Sequence, residues 1–304
     1  MNNKYNLAPI LLICYNRLDH VKKCINSLKK NKISIKSDII IYSDGPKNHK
    51  EKKKIYEIRK YLNNLKGFKS KKIINRKKNY GTKKNIIKAL NESFKKFDKI
   101  IVIEDDLILS KGFLNFMNFC LDHYEDEKKV WHINGWSYPF MKNSKNDINF
   151  LGSMNCWGWG TWKNRWSFLT LNEKYLISNF SKKNIHNFNI FSSMNFFEQI
   201  IRNKKKTLSS WAVFWYATIF KNNGICIYPK YPLVKNIGFD GSGRTSSKHK
   251  YISNLNNNYK NFKLNSEIYK NKKLMNAEFN YYIVRKSIIG KFLTYIKKIY
   301  FSIF

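Results

Sequence analysis

Three consecutive carboxylates, Glu104, Asp105 and Asp106, follow directly on an apolar run in the stretch KIIVIEDDLILS, residues 99 to 110. Carboxylates grouped at the end of a buried strand repel one another and raise one another's pKa unless a cation neutralises them. Carboxylate oxygens suit Mn²⁺ and Mg²⁺, and an ion with open coordination positions also binds a diphosphate. The triplet therefore predicts a metal-diphosphate site. Helix N-capping by Asp106 is the structural alternative.

A second acidic triplet, YEDEKK with acids at 125 to 127, provides an internal comparison. It lies between a predicted helix and a predicted strand, where solvated charge is ordinary. Three acids in a row therefore indicate little by themselves. The position of the first triplet, at the end of an apolar strand, distinguishes it.

Apolar runs alternate with helix-like stretches over the first 130 residues. We predict strands at 9–15, 38–44, 71–75 and 99–104, and helices at 19–30, 50–64, 82–97 and 111–123. Ile- and Val-rich runs without polar alternation are typical of strands buried on both faces of a parallel sheet. The order predicts a doubly wound α/β sheet, in which ligands bind beyond the carboxyl ends of the strands where the strand order reverses.

Polar residues follow three of these predicted strands. Arg17 comes after the first, Asp44 of the SDGP turn after the second, and the triplet ending in Asp106 after the fourth. We expect the three groups to meet in one crevice. Phosphoryl and glycosyl transfer both need this arrangement. In glycosyl transfer, a metal stabilises the departing diphosphate while a base takes a proton from the acceptor hydroxyl.

The sequence changes character after residue 130. We predict a fifth strand at 130–136, a strand, Gly-Trp turn and short helix within 150–166, an irregular excursion at 170–195, a helix within 209–224, and a strand with a glycine-bearing loop in 225–243. The stretch 255–273 is polar enough to be loosely ordered. The final segment, SIIGKFLTYIKKIYFSIF, predicts an amphipathic helix that either lies in a membrane interface or packs on the domain.

The chain carries 58 Lys and Arg against 20 Asp and Glu, a net charge of +38, spread over its whole length. A dispersed charge does not favour nucleic acid, and we expect no nucleic-acid partner. A phosphorylated small molecule or an anionic membrane surface accounts for the sign equally well. Five cysteines without a C-x-x-C pair indicate a reducing compartment. With no apolar run of 18 residues, we expect a cytoplasmic protein, peripheral at the inner face of the membrane.

Seven segments, taken in order and spacing, resemble the GT-A glycosyltransferases, and among them the β-1,2-N-acetylglucosaminyltransferases that act on mannose. They are LLICYNR, IYSDG, NYGTKKNI, IVIEDDL, INGW, WGWGTWKNRW and CIYPKYPLVKNIGFDGSG, within residues 9 to 243. The resemblance implies a Rossmann-like mixed α/β sheet with an elaborated acceptor side. It also implies a UDP-sugar donor, Mn²⁺ or Mg²⁺, and a glycan or lipid-linked glycan acceptor. The domain would span 1–245, with 1–130 binding the nucleotide and 131–245 the acceptor, before a polar extension at 246–304.

The resemblance also implies roles for individual residues. Those at the donor site are Arg17 on the nucleotide, Asp44 on the uracil, Glu104 and Asp105 on ribose and sugar, Gly81 at the start of the NYGTKKNI helix, and Asp106 on the metal. A surface ion pair for Arg17 and an Asx-turn for Asp44 are the structural alternatives.

The segments at 157–166 and 238–246 resemble the walls and the lid of the family's site. Four tryptophans would flank the donor sugar and the acceptor, unless they are core residues: Trp157, Trp159, Trp162 and Trp166. The loop GFDGSGRTS, with Arg244, would close over the diphosphate, unless it is a plain surface loop.

One departure concerns the general base, an Asp in inverting members of the family. This chain has Ala212 in that region. The candidate groups that remain are Asp240, Glu198 and Asp147, together with His132 and His186. A shifted base, a retaining mechanism and an inactive relative all stay open.

The sequence therefore predicts a metal-dependent glycosyltransferase. One rival is a nucleotidyltransferase acting on sugar phosphates, which would usually carry a Gly-rich basic signature that CYNRLDH lacks. The other is an inactive GT-A-fold protein that serves as a basic binding module.

Overall fold

The computed structural model describes residues 6–243, 255–257, 262, 267–284, 286 and 288–303. Its strands are β1 Ile10–Cys14, β2 Asp38–Ser43, β3 Ser70–Asn75, β4 Lys99–Glu104, β5 Leu107–Leu109, β6 Val130–Asn134, β7 Ile148–Leu151, β8 Trp159–Trp162, β9 Ile225–Pro229 and β10 Val234–Asn236. Its α-helices are α1 Leu18–Lys29, α2 His49–Asn63, α3 Gly81–Ser93, α4 Phe113–His123, α5 Lys163–Trp166, α6 Glu173–Ser178, α7 Lys182–Phe188, α8 Phe196–Lys204, α9 Ala212–Lys221, α10 Lys272–Ile283 and α11 Ile288–Ile303. Two 3-10 helices span Lys32–Lys36 and Pro139–Asn143.

Eight strands form one mixed sheet in the order β3-β2-β1-β4-β8-β6-β9-β7. The four at the N-terminal side are parallel, and β8 joins them antiparallel to β4. A separate two-stranded sheet pairs β10 antiparallel to β5. The predicted doubly wound α/β sheet is thus confirmed, with β1 between β2 and β4 at the reversal of strand order.

Strand β1 shows why the sheet is buried on both faces. Its side chains alternate, so that Ile10 and Leu12 enter one core cluster while Leu11 and Ile13 enter the other. Helices α1, α2 and α4 cover the first face, and helices α3 and α9 cover the second. An uninterrupted apolar strand is what a sheet between two helical layers requires.

The prediction of an irregular excursion at 170–195 is wrong. Helices α6 and α7 lie there, each begun by a side-chain cap, Asn172 for α6 and Ser181 in a capping box for α7. Leu176, Phe180 and Phe188 pack into a third apolar cluster with α8 and α9. The polar capping residues gave this stretch the composition of a loop, while the few apolar residues that the helices bury share one cluster.

Helix α10 packs tightly on the domain. Phe279 and Ile283 are buried, and Leu274 and Met275 pack against the second core cluster. Glu278 is 4% exposed and accepts hydrogen bonds from the hydroxyls of Tyr138 and Ser153. Burial raises the pKa of Glu278 to about 7.

This buried carboxyl predicts a pH dependence of stability. The folded-state pKa lies above the ordinary 4.5, so the folded state holds the proton longer, and stability falls as the pH rises from 4.5 to about 7. Glu278→Gln keeps an acceptor for both hydroxyls without the charge. Its free energy of unfolding should exceed the parent's at pH 8 by on the order of 2 kcal/mol and match it at pH 4.

Urea unfolding at the two pH values measures the effect. Glu57→Gln, at an exposed position on α2, is the control and should change stability little at either pH. A Glu278→Gln variant less stable than the parent at pH 8 would contradict the assignment of a destabilising buried charge.

Among the described residues, no helix combines the length and the apolar character that crossing a membrane requires.

Candidate active site

A cleft of about 470 Å³ opens at the carboxyl ends of β1, β2 and β4. Strand register brings these ends together, because Cys14 pairs with Ser43 on one side and Ile13 pairs with Glu104 on the other. Among the residues that line the cleft are Arg17, Asp44, Gly81, Glu104 and Asp105. The predicted meeting of the three strand ends in one crevice is therefore confirmed.

Arg17 links two members of the acidic triplet. Its Nη2 donates to Asp105 Oδ1 at 2.6 Å and to Asp106 Oδ2 at 3.0 Å. The backbone N–H of Tyr15 also donates to Asp105, at 3.1 Å. Burial raises the pKa of Asp105, and the Arg17 guanidinium opposes that rise. Arg17 is therefore held at the cleft by carboxylates, and the ion pair expected as its structural alternative is present.

The pKa of Glu104 is strongly raised by its surroundings. Burial, then the charges of Asp106 and Asp105, raise its pKa to about 8, while Arg17 acts in the opposite direction. One guanidinium thus faces three carboxyl groups at the end of β4. A further cation at this point would be electrostatically favoured.

The triplet fits a divalent ion that takes only one or two ligands from the protein. Within the described part of the chain, no three His, Cys, Asp or Glu side chains gather closely enough to hold a metal by themselves. Mg²⁺ and Mn²⁺ sites commonly use one or two carboxylates together with substrate phosphates and water. Asp106, whose side chain is 20% exposed, can supply such a carboxylate while Asp105 is 5% exposed and engaged by Arg17.

Asp44 is buried at the cleft and saturated by hydrogen bonds. Its Oδ1 accepts from the backbone N–H groups of Gly45 and Tyr80, and its Oδ2 from Gly81 N–H and Asn79 Nδ2. Gly81 begins α3 with φ +70°, a conformation that favours glycine. Asp44 therefore fastens the start of α3 to the end of β2, in addition to facing the cleft.

We expect Asp44→Ala to destabilise the protein by about 3 kcal/mol, because it leaves the N–H groups of Tyr80 and Gly81 without their acceptor at a helix start. Urea unfolding measures the loss. The control Asp38→Ala removes one exposed hydrogen bond from Ser70 and should cost under about 1 kcal/mol. Equal losses in the two variants would show that Asp44 does not secure α3.

The loop after β10 runs along the acidic triplet. Ile237 N–H donates to the carbonyl of Asp106 at 2.8 Å, and Gly238 lies against the Asp106 carboxylate. Ser242 and Gly243 line the cleft. Asp240, 46% exposed, binds Ser242 through Oδ1 and has Oδ2 3.2 Å from His20 Nε2. Arg244, predicted for the lid, lies outside the described residues.

A second pocket of about 250 Å³, which we call the acceptor-side pocket, is lined mainly by the half of the chain predicted to bind the acceptor. Its lining includes Trp136, Cys156, Trp157 and Ala212. Burial, then the charge of Glu104, raise the pKa of Cys156 to about 12, and Asp106 adds to the rise. Trp157 of this pocket packs against Phe239, and the preceding Gly238 lies against the Asp106 carboxylate, so the pocket approaches the acidic triplet.

The four tryptophans of the WGWGTWKNRW segment divide into two groups. Trp159, Trp162 and Trp166 are core residues, with at most 4% of the side chain exposed. Trp157 lines the acceptor-side pocket and packs edge-on against Trp136 and Phe239. The core alternative thus holds for three of the four.

The other proposed acid-base groups lie away from the cleft lining. Glu198 is exposed on α8, and the structure gives its predicted role no support. His132 is fully buried, bonded to Asn134 and Trp215, and burial lowers its pKa to about 4. His186 is a buried residue of α7, and burial, then the nearby lysines of α11, lower its pKa to about 4. Asp147 precedes β7 at the far edge of the sheet.

Glu51 on α2 lines the cleft and was not foreseen from the sequence. It accepts hydrogen bonds from the Tyr15 hydroxyl and from Asn16 Nδ2, the latter at 3.0 Å. Asn48 caps α2 three residues earlier, so Glu51 has the sequence signature of a helix start. That signature fixes its helical position but not its contact with the end of β1.

Residues 1–148 match the model of the GNT-I family. The matched segment contains β1 to β4, the whole acidic triplet and the residues that line the cleft, except Ser242 and Gly243. This match over residues 1–148 supports a glycosyltransferase, and the mixed α/β sheet agrees with it. The resemblance seen in the sequence segments is thereby confirmed.

Solved structures similar to this glycosyltransferase have low identity to it. They include the mannosyltransferase PcManGT from Pyrobaculum calidifontis in complex with GDP-Man and Mn²⁺, with a TM-score of 0.38, 8% identity and 73% of each chain covered. S. aureus TarS 1-349 has a TM-score of 0.36 and 14% identity, with 61% of this chain and 54% of that 1-349 chain covered. A search of curated proteins finds no match for the glycosyltransferase.

Proposed function

We propose that this glycosyltransferase transfers a sugar, N-acetylglucosamine or another hexose, from a UDP-sugar to a glycan or lipid-linked glycan, with Mn²⁺ or Mg²⁺. The observation that carries the proposal is the cleft itself. Arg17, Asp44, Glu104 and Asp105 line one space at the reversal of strand order, Asp106 accepts a hydrogen bond from Arg17 beside it, and an aromatic pocket lies nearby. A nucleotide diphosphate needs such a groove, and a sugar acceptor needs the apolar faces next to it.

The proposed roles follow from the contacts. Asp106 holds the metal, which when bound stabilises the negative charge that builds on the departing diphosphate. Arg17, fixed by Asp105, supplies a second positive charge beside the phosphates. Asp44 and Gly81 bound the nucleotide end of the cleft, and Glu104 lies near the ribose and sugar.

The acceptor enters on the side of Trp157 and Trp136, where their apolar faces exclude water from the reacting hydroxyl. Ala212 lines this pocket and has no titratable group. Asp240 is the proposed base, because it stands in the loop that passes Asp106 and carries Ser242 into the cleft.

Calorimetric titration of UDP with and without Mn²⁺ tests the donor site, and analysis of the released nucleotide tests the reaction. We expect UDP binding that strengthens with Mn²⁺, and release of UDP from one member of a nucleotide-sugar panel. Release of pyrophosphate would instead identify a nucleotidyltransferase. UDP binding without turnover of any donor and acceptor would identify an inactive relative.

We further propose a location in a reducing compartment, at the inner face of a membrane. All five cysteines are free thiols, and four of them are buried. The net charge of +38 favours an anionic surface, and its spread over the chain does not favour nucleic acid.

A further inference from the structure

Helix α11 packs on the domain through the more polar part of its surface. Thr294 is 4% exposed and accepts a hydrogen bond from Lys286. Lys298 lies over the ring of Phe279, with Nζ 4.2 Å from the centroid, and donates to Asn276. These contacts fix the orientation of α11 against α10.

The opposite side of α11 is an exposed apolar surface, which we call the outer face. Its side chains are exposed by 86% at Ile288, 71% at Ile289, 65% at Phe292, 53% at Leu293 and 47% at Ile296. At about 100° per residue these five positions fall within one arc of the helix. Lys291 and Lys297 border that arc on its two sides.

This orientation is the reverse of what a globular helix adopts. A surface helix normally buries its apolar stripe in the core and turns its charges to water. Contiguous exposed apolar surface of this kind marks a binding partner or a membrane. Apolar residues bordered by lysines match the boundary between acyl chains and anionic headgroups, where lysine side chains reach up to the phosphates.

We propose that the outer face of α11 is a docking surface for an anionic lipid bilayer, with the helix lying in the plane of the headgroups. The net charge of +38 adds long-range attraction to the same surface. The inference gives the location proposed above its structural basis and does not depend on the chemistry of the cleft.

The docking surface also has a consequence for the acceptor, which rests on the proposed function. Tyr281 and Tyr282, near the end of α10, line the acceptor-side pocket, and α11 begins at Ile288. Only a few residues of the chain therefore separate the wall of that pocket from the helix that would contact the bilayer. This placement favours a lipid-linked acceptor over a free glycan.

Co-sedimentation of the full chain with vesicles tests the docking. We expect binding to mixed phosphatidylglycerol and phosphatidylcholine vesicles that weakens with salt, and weaker binding to phosphatidylcholine alone. The double variant Ile289→Glu plus Phe292→Glu should bind the anionic vesicles at least about tenfold less. Both positions are more than half exposed, so folding should not change.

The matched control is Phe168→Glu, at a side chain 59% exposed away from α11, which should bind vesicles like the parent. Equal vesicle binding by parent and double variant would overturn the proposal. The proposal would also be overturned if light scattering showed a dimer for the parent and a monomer for the double variant, because the outer face would then bind a second copy.

UDP titration of the double variant separates this inference from the proposed function. Parent-like UDP binding together with lost vesicle binding supports the docking surface. If neither the parent nor the double variant binds UDP, and only the double variant loses vesicle binding, the docking surface is supported and the donor site is rejected.

Discussion

Asp106→Asn is expected to lower turnover of the donor sugar by about 10³-fold, because an amide cannot supply the anionic oxygen that the proposed divalent cation needs beside the diphosphate. The change keeps the size of the side chain and leaves an oxygen that can accept from Arg17, now 3.0 Å from Asp106 Oδ2. The fold should therefore persist. Steady-state kinetics at saturating Mn²⁺, with UDP titration in parallel, measures the loss.

The second acidic triplet supplies the control for this variant. Asp126 is an exposed acid in the same kind of three-residue run, and Asp126→Asn should leave turnover and UDP affinity at the parent's values. An Asp106→Asn variant that binds UDP as well as the parent with Mn²⁺ present would reject the metal assignment.

Gly238→Ala is expected to lower turnover by about 100-fold, although the change adds only a methyl group. A Cβ at position 238 would lie 3.0 Å from Asp106 Cγ and closer still to Oδ2, a separation that real Cβ atoms essentially never show. The Asp106 carboxylate must turn away, which breaks its contact with Arg17 and moves the proposed metal ligand. The Mn²⁺ dependence of UDP binding should weaken in parallel.

Gly152→Ala is the matched control, since the nearest atom to a Cβ there is 3.5 Å away on the Lys270 side chain. It should leave turnover unchanged. Thermal unfolding of both variants should stay within a few degrees of the parent, because the atoms nearest to a Cβ at 238 belong to the partly exposed side chains of Asp106 and Asn236. Parent-like activity in Gly238→Ala would show that Asp106 does not act in its present position.

The sequence was sufficient for the half of the molecule predicted to bind the nucleotide. Apolar runs such as β1 and β4 have no polar alternation, which identifies strands of a buried parallel sheet. Once the strands are parallel, their carboxyl ends share an edge, and Arg17, Asp44 and Asp106 must gather there. Local pattern and this one topological rule are enough, because each residue follows its strand by only a few positions.

The acceptor side could not be predicted in the same way. Nothing in WGWGTWKNRW separates Trp157, at the pocket, from Trp159 in the core, because that choice depends on the packing of β8 against β4 and β6. The helices at 173–188 were missed because their caps resemble loop residues and their few apolar side chains are buried only by α8 and α9.

By itself, therefore, the sequence determined the strand and helix order of the first half, the edge where the acids gather, and the amphipathic character of α11. Only the tertiary structure decided that Glu51 meets Tyr15, that Gly238 lies against Asp106, and that α11 turns its apolar face outward. The physical reason is that these contacts join residues far apart in the chain. Their side-chain types permit many partners, and the packing of whole elements selects among them.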